Sequence, residues 1–340
     1  MDGVNCPICG ATAQLINDRH PGYQHPQVFS IFGCQYCDLQ FSWPMNATTD
    51  VYEHIYRQAS SLPGYDFYAG LARQLEAQSD PLSWLAQQAS GYWFIQDALR
   101  TKLPSKRGRI LEIGSGLGYL THAMRAAGYD ATGLDISANA VSGANTRFGN
   151  HYVCADLEDF AHKNPASRDA IVMMEVIEHS PSPIAMLNAA FTLLKPGGFA
   201  LITTPNKSVY RAGDYWQTDN PPVHLWWFSE TSARRLAQSS RFDVSFWDFI
   251  QLHQPNIDDR HPSITPMKPP FLDERGNVII RRKTPSSPTR MGFRKRKARR
   301  DRWLPAIKDA KRARRRQQAR LRWADEHGDV MGLVLTKPTA

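Results

Sequence analysis

Three groups of residues in this 340-residue chain have the types and spacing to do chemistry: paired cysteines, a glycine-rich turn followed by acids, and a run of carboxylates and imidazole. Cys6 and Cys9 form one C-x-x-C knuckle, and Cys34 and Cys37 form another, with 24 residues between them. Two such knuckles can close a tetrahedron of thiolates around Zn2+, each short loop turning its amides toward the sulfurs. Four thiolates leave no open coordination position, so the spacing predicts a structural zinc that does not catalyse. The fifth cysteine, Cys154, lies in the apolar run YVCAD and is expected to be buried.

The run ILEIGSGLG places Gly114, Ser115, Gly116 and Gly118 in a turn from an apolar strand into a helix, where glycine lets a ligand approach the backbone. Asp135 ends the next strand, twenty-one residues after Gly114, where a carboxylate can accept both hydroxyls of a ribose. Asp156 follows the third strand, in reach of an exocyclic amine on an adenine. The pyrophosphate fingerprint is G-x-G-x-x-G, whereas here G-x-G-x-G stands two residues after Glu112. A ligand with ribose and adenine but no pyrophosphate fits this set better than a dinucleotide.

Glu175, Glu178 and His179 lie within five residues at the end of the fourth strand, in MMEVIEHSPSP. They could hold a divalent cation such as Mg2+ or Mn2+, which would orient a substrate hydroxyl and lower its pKa. Without metal, His179 could itself be a general base. A structural role for these groups, such as capping a helix, stays open beside both. His224, flanked by Trp226, Trp227 and Phe228, could belong to the same site or be a packed histidine in a pocket wall.

The elements that must position these residues read as an α/β domain. Apolar strands at 109–114, 129–137, 150–158, 169–179 and 198–206 alternate with helices such as 118–127 and 183–194, the signature of a doubly wound, parallel sheet. A helix at 230–239 and a strand at 241–249 follow, and the composition of 291–323 favours helix. We divide the chain into a zinc-ribbon module (1–44), a helical cap or linker (45–106), a core (107–250), a proline-rich and then basic helical insertion (251–323) and a final core strand (324–340). Within the cap, Trp84, Leu85, Trp93, Phe94 and Leu99 mark the apolar positions.

Composition narrows the classes. With 42% hydrophobic and 21% charged residues the chain can build an ordinary core, which excludes global disorder. A mean hydropathy of −0.46, no run of eighteen apolar residues and no apolar stretch near the start predict a cytoplasmic protein. The net charge of +9 is local: residues 281–322 hold nineteen basic residues and two acids, leaving 22 basic and 30 acidic residues elsewhere. Such a segment favours nucleic acid, an anionic membrane surface or an acidic partner. A solvated arm without a partner is the plainer alternative.

The stretch LEIGSGLGYLTHAMRAAGYDATGLDIS, with VCADLEDF and EVIEHSPSPIAMLNAAFTLLKPGGFALITTPN, resembles the class I S-adenosylmethionine-dependent methyltransferases. Within them it is most similar to the branch holding the ubiquinone-biosynthesis O-methyltransferases. The resemblance covers about 108–250 and the final strand at 328–338, and implies a Rossmann-like seven-stranded sheet whose last strand runs antiparallel. It implies cofactor contacts from Glu112, Gly114, Ser115, Gly116 and Gly118 toward the methionine end. Asp135 and Ile136 would bracket ribose and adenine, Asp156 and Leu157 the adenine edge, and Glu175 the methionine ammonium. The E-x-x-E-H arrangement resembles metal sites of related enzymes in which a later histidine completes the set. Glu175, Glu178, His179 and His224 would then hold Mg2+.

The leading expectation is an enzyme that methylates an oxygen of a small-molecule, sugar or lipid-linked acceptor, with 281–322 resting on the inner face of a membrane. The alternative is an RNA methyltransferase that uses 281–322 to hold RNA through its phosphates. A protein substrate and a non-catalytic binding protein are further readings. Nothing in the sequence sets the oligomeric state.

Overall fold

The computed structural model describes residues 3–45, 49–209, 214–215, 220–247, 249, 265–266, 270–279 and 330–339. The basic segment 281–322, and with it the helix expected over 291–323, lies outside the described residues.

The chain opens with a ribbon of four strands, β1 (Val4–Asn5), β2 (Thr12–Pro21), β3 (Val28–Cys34) and β4 (Leu39–Trp43). Helices α1 (Thr49–Gln58), α2 (Tyr65–Leu75), α3 (Pro81–Ala86) and α4 (Ser90–Lys102) follow. The start of α3 shows why such elements form where they do. Asp80 accepts a hydrogen bond from the Ser83 amide, and Pro81 occupies a first-turn position that has no helical partner to lose.

Strict alternation comes next: β5 (Arg109–Ile113), α5 (Tyr119–Ala126), β6 (Asp130–Asp135), α6 (Ala138–Phe148), β7 (Tyr152–Cys154), α7 (Leu157–Lys163), β8 (Arg168–Met174), α8 (Pro183–Leu193) and β9 (Leu194–Pro205). The remainder adds β10 (Asp214–Tyr215), β11 (Trp226–Trp227), α9 (Glu230–Ser239), β12 (Asp243–Phe246), β13 (Thr265–Pro266) and β14 (Val330–Thr336). The short strands β10 and β13 pair with each other.

Seven strands form one sheet in the order β12-β14-β9-β8-β5-β6-β7. The strands β5 to β9 run parallel, and β14 lies antiparallel between β9 and β12. This is the seven-stranded, doubly wound arrangement that the sequence implies. Burial on both faces explains why the interiors of β5 and β8 are mostly apolar. Leu111 and Ile171 face one core with α8 and α9, while Ile110 and Val172 face the other with α4 and α5. Strand order reverses between β5 and β8, so their carboxyl ends border the crevice where ligands bind in such sheets.

Two local expectations need correction. Cys154 is exposed, because three-residue β7 is the sheet's edge and only Tyr152 in it is buried. The strand expected over 241–249 is confined to Asp243–Phe246, although the Trp247 amide still donates to the Gly332 carbonyl at 2.7 Å.

The ribbon does not stand apart. Its sheet has a fifth strand, β11, which pairs antiparallel with β4 so that Trp226 faces Phe41 and Trp227 faces Gln40. Cys6, Cys34 and Cys37 share one apolar cluster with Trp226 and Ile177. Among the described residues no helix is long and apolar enough to cross a membrane.

The turn after β5 depends on glycine most at Gly118, which has a φ of 80°. A Cβ there would lie 2.6 Å from the Ala144 Cβ and 2.9 Å from the Tyr152 ring. Gly118→Ala is therefore expected to destabilise the fold by about 2 kcal/mol or more, through left-handed strain and overpacking together. An unchanged urea midpoint would contradict this.

Candidate active site

The glycine loop is fixed by the strands on either side. The Gly114 and Ser115 amides both donate to the Leu134 carbonyl of β6, at 2.8 and 3.1 Å. The Asp135 carboxylate accepts from the Gly116 amide at 2.8 Å and from the Ser137 amide at 2.9 Å. Each oxygen retains a second lone pair, which is what a ribose diol requires. Ile136, next in line, is 69% exposed. An isoleucine side chain at the mouth of a strand-end crevice suits the face of an adenine. Asp156 caps α7 through one oxygen, accepting from the Glu158 and Asp159 amides, while Leu157 begins that helix half-buried.

Glu112 sits differently. It is buried in β5 and accepts a short hydrogen bond from the Thr121 hydroxyl of α5. Burial pushes its carboxyl up to about 8, with the Thr121 bonds pulling the other way. In this state it braces the loop between strand and helix.

On the other side of the crevice, Glu175 follows β8 with a φ of 52°, in the left-handed region that non-glycine residues avoid. Two bonds hold it there: its amide meets the Thr203 carbonyl at 3.2 Å and the Thr203 hydroxyl at 3.1 Å. A 3-10 turn at Ile177–His179 then delivers Glu178 and His179. Glu178 is fully buried, and one of its oxygens accepts from the Thr204 hydroxyl at 3.0 Å.

His179 Nδ1 lies 2.5 Å from the Val223 carbonyl. A carbonyl only accepts, so Nδ1 carries the proton and Nε2 keeps its lone pair. That Nε2 lies 3.9 Å from Glu178 Oε1. The His224 ring stands edge-on to the His179 ring at 4.6 Å between centroids. Ligand atoms of Glu178, His179 and His224 all lie within 4.8 Å of one another. Glu175 is not a member of this trio. Burial drives both imidazoles toward neutrality: His179 is pushed down to about 4, and His224 lies well below its ordinary 6.5. Neutral imidazole is the form that binds metal or accepts a proton.

Reasoning from sequence missed the tyrosines. The Tyr52 and Tyr56 pair, one turn apart on α1, and the Tyr65 and Tyr68 pair on α2 converge on this crevice. The Tyr52 ring meets the His179 ring edge-on at 6.2 Å, and its hydroxyl donates to the Val223 carbonyl at 3.2 Å. A Cβ on Gly116 would meet the Tyr56 hydroxyl at 3.5 Å, so this tyrosine roofs the glycine loop. Burial raises the hydroxyl pKa of Tyr65 and Tyr68, with the Glu178 carboxylate adding to the effect for both. The helical spacings 52/56 and 65/68 were the available signal, and the larger apolar residues of α3 and α4 masked it. Leu85, Phe94 and Leu99 are instead buried in the domain core.

The four cysteines converge as their spacing predicts. Cys6 and Cys37 sulfurs are 3.6 Å apart, and Cys9 and Cys34 sulfurs are 3.5 Å apart. A zinc tetrahedron with bonds of ~2.3 Å has edges of about 3.8 Å, whereas a disulfide needs ~2.05 Å. The set is therefore shaped for a tetrahedral metal. The Cys37 thiol's hydrogen bond holds Cys6 down at about 5, favouring the thiolate that a metal requires.

The buried imidazoles make stability depend on pH with a definite sign. Unfolded histidine takes up a proton near 6.5, but native His179 resists until about 4. Stability is thus complete above the unfolded value and lost as pH falls through that interval. The melting temperature is expected to drop between pH 7 and pH 5, and to drop less in His179→Gln. Equal slopes in the two proteins would contradict the assignment.

Comparison with known proteins agrees with this geometry. Residues 86–245 match the family model described as "Methyltransferase domain". A ubiquinone biosynthesis O-methyltransferase from Xanthomonas campestris pv. campestris is 36% identical over 116 residues, or 33% of this chain and 48% of that protein. The protein of the same name from Xylella fastidiosa is 31% identical over 118 residues, again 33% and 48%. The chain thus spans about half the length of the curated relatives it matches. A solved structure titled as a SAM dependent methyltransferase from Archaeoglobus fulgidus aligns with 14% identity and a TM-score of 0.42, over 72% of this chain and 93% of that one. The sheet order is Rossmann-like, and residues 86–245, which hold most of it together with the glycine loop, are what matches the methyltransferase-domain model.

Proposed function

We propose that this protein transfers a methyl group from S-adenosylmethionine to an oxygen of a small-molecule, sugar or lipid-linked acceptor. The observation that carries the reading is the trio of Glu178, His179 and His224, set across the crevice from the Gly114–Gly118 loop and enclosed by tyrosines. The relatives' names, all O-methyltransferases, support oxygen as the receiving atom.

The residues divide by task. Asp135 is positioned for the ribose hydroxyls, Ile136 for the adenine face, and Asp156 and Leu157 for its edge. Glu175, held in its strained conformation beside the loop, is placed for the methionine ammonium. A bound cationic cofactor would also favour the charged form of Glu112. When bound, S-adenosylmethionine supplies an electrophilic methyl on a sulfonium, and the protein's part in an in-line displacement is to aim the acceptor at it.

His179 Nε2, with its tautomer fixed by Val223, is placed to take the acceptor's proton. A base with pKa about 4 is weak on its own at neutral pH, so a cation held by the trio would lower the acceptor's pKa instead. Two imidazoles and one carboxylate make a donor set that suits Zn2+ or Mn2+, the latter one of the two ions expected, better than Mg2+. At the cysteines, the reading is a structural zinc.

A tracer experiment tests the function. Purified protein, methyl-labelled cofactor and a host extract are combined, then separated into RNA, protein, lipid and small polar pools. Label in the lipid or small polar pool is expected; label in RNA would make 281–322 a substrate-binding arm and overturn the acceptor assignment. Asp135→Ala is expected to weaken cofactor binding at least tenfold, read by calorimetry. Glu178→Gln should leave that affinity within threefold while turnover falls at least a hundredfold.

A further inference from the structure

The cysteine module and the acceptor side of the site share one piece of chain. Leu225 uses its peptide in both directions: its amide donates to the Glu178 carbonyl at 2.9 Å, and its carbonyl accepts from the Ser42 amide of β4 at 2.9 Å. The next residue repeats the link through side chains. The Trp226 indole donates to the Ser180 carbonyl at 2.7 Å, while its ring lies 6.1 Å from that of Phe41. One residue earlier stands His224, and before it Val223, whose carbonyl fixes the His179 tautomer. The ribbon also holds the start of this segment, where the Tyr23 amide donates to the Pro221 carbonyl at 2.7 Å.

We propose that the four-cysteine module is a positioning element for the active site: metal held by Cys6, Cys9, Cys34 and Cys37 fixes β4, and β4 fixes where His224 stands against Glu178 and His179. Cys34 ends β3 and Cys37 lies in the turn into β4, so the metal would close the very hairpin that carries Phe41 and Ser42. Without that closure, two residues of β11 have no rigid edge to pair with. An isolated pairing this short is marginal in water. His224 is then free to leave the trio, while the glycine loop, anchored on β6, keeps its shape. The role rests on reading the trio as the group that activates the acceptor, so the test is read independently of turnover.

The experiment is hydrogen exchange by mass spectrometry on the full chain, zinc-loaded and then stripped by chelator under reducing conditions. Exchange in 220–228 and 175–182 is expected to accelerate at least tenfold, with 109–126 unchanged and the dissociation constant for S-adenosylmethionine within threefold. Ser42→Pro removes the amide that meets Leu225, and is expected to keep its zinc yet show the same acceleration. Unchanged protection of 220–228 in the stripped protein overturns the proposal. So does equal loss at 109–126, which would make the module a prop for the whole fold, and so does purified protein without zinc. A failure of the methyltransferase reading would show separately, as zinc-loaded protein that does not bind the cofactor.

Discussion

The Leu225 peptide is the constraint on which the acceptor side of the site depends. An extended segment wedged between two surfaces must satisfy its amides and carbonyls on both sides or bear the cost of burying them unpaired. Here one side is the turn after β8 and the other is the edge of the ribbon. Strand alternation sets the rest. Trp226 turns toward the domain core with Phe228, and Trp227 turns the other way to pack with Ile31. His224 stands just before the strand, in a turn whose Val223 and His224 amides both donate to the Asn220 carbonyl. A one-residue slip in β11 would exchange the faces of Trp226 and Trp227.

Burial gives the site its electrostatic character. Two histidines and a glutamate packed this closely would repel or attract strongly if their charges varied with the surroundings. Desolvation settles the imidazoles as neutral, and the Thr204 hydroxyl gives the Glu178 carboxylate a fixed partner. Glu112 shows the same principle on the cofactor side: a carboxyl near 8 adds little negative charge beneath the loop until a cation arrives to favour ionisation. The tyrosines contribute hydroxyls whose raised pKa keeps them neutral donors.

Local signals made the domain legible. Four of the five parallel strands announced themselves as apolar runs ending in glycine or an acid, the fifth as an apolar run after a glycine pair, and each cysteine pair as a knuckle. The acids at the ends of β6 and β8 were equally visible, because their spacing follows from the length of a strand–helix unit. What stayed hidden was long-range. The partner of β4 is a two-residue strand 183 residues beyond it, and no periodicity marks so short an element. Cys154 was misjudged because edge position is a property of the sheet's order, which apolar runs do not reveal. The tyrosines of α1 and α2 were missed because hydrophobic size drew attention to side chains that only fill the core.

The stretch that matches the family model holds one part of the site's chemistry. The matched stretch, 86–245, contains the glycine loop, Asp135, Glu175, Glu178, His179 and His224. The tyrosines of α1 and α2 and the ribbon lie outside it. Tyr52 and Tyr56 sit on α1, Tyr65 and Tyr68 on α2, and the ribbon precedes both. Residues 270–279 brace this cover from the far side: Phe271 stacks on Tyr23 at 4.9 Å, and the Gly276 carbonyl accepts from Gln58 of α1 at 2.7 Å. Three segments remote in sequence thus pack together beside the trio, and α1 also reaches the glycine loop through Tyr56. Kinship over 86–245 accordingly supports the fold that carries the glycine loop, while the tyrosines beside the trio come from α1 and α2, outside the matched stretch.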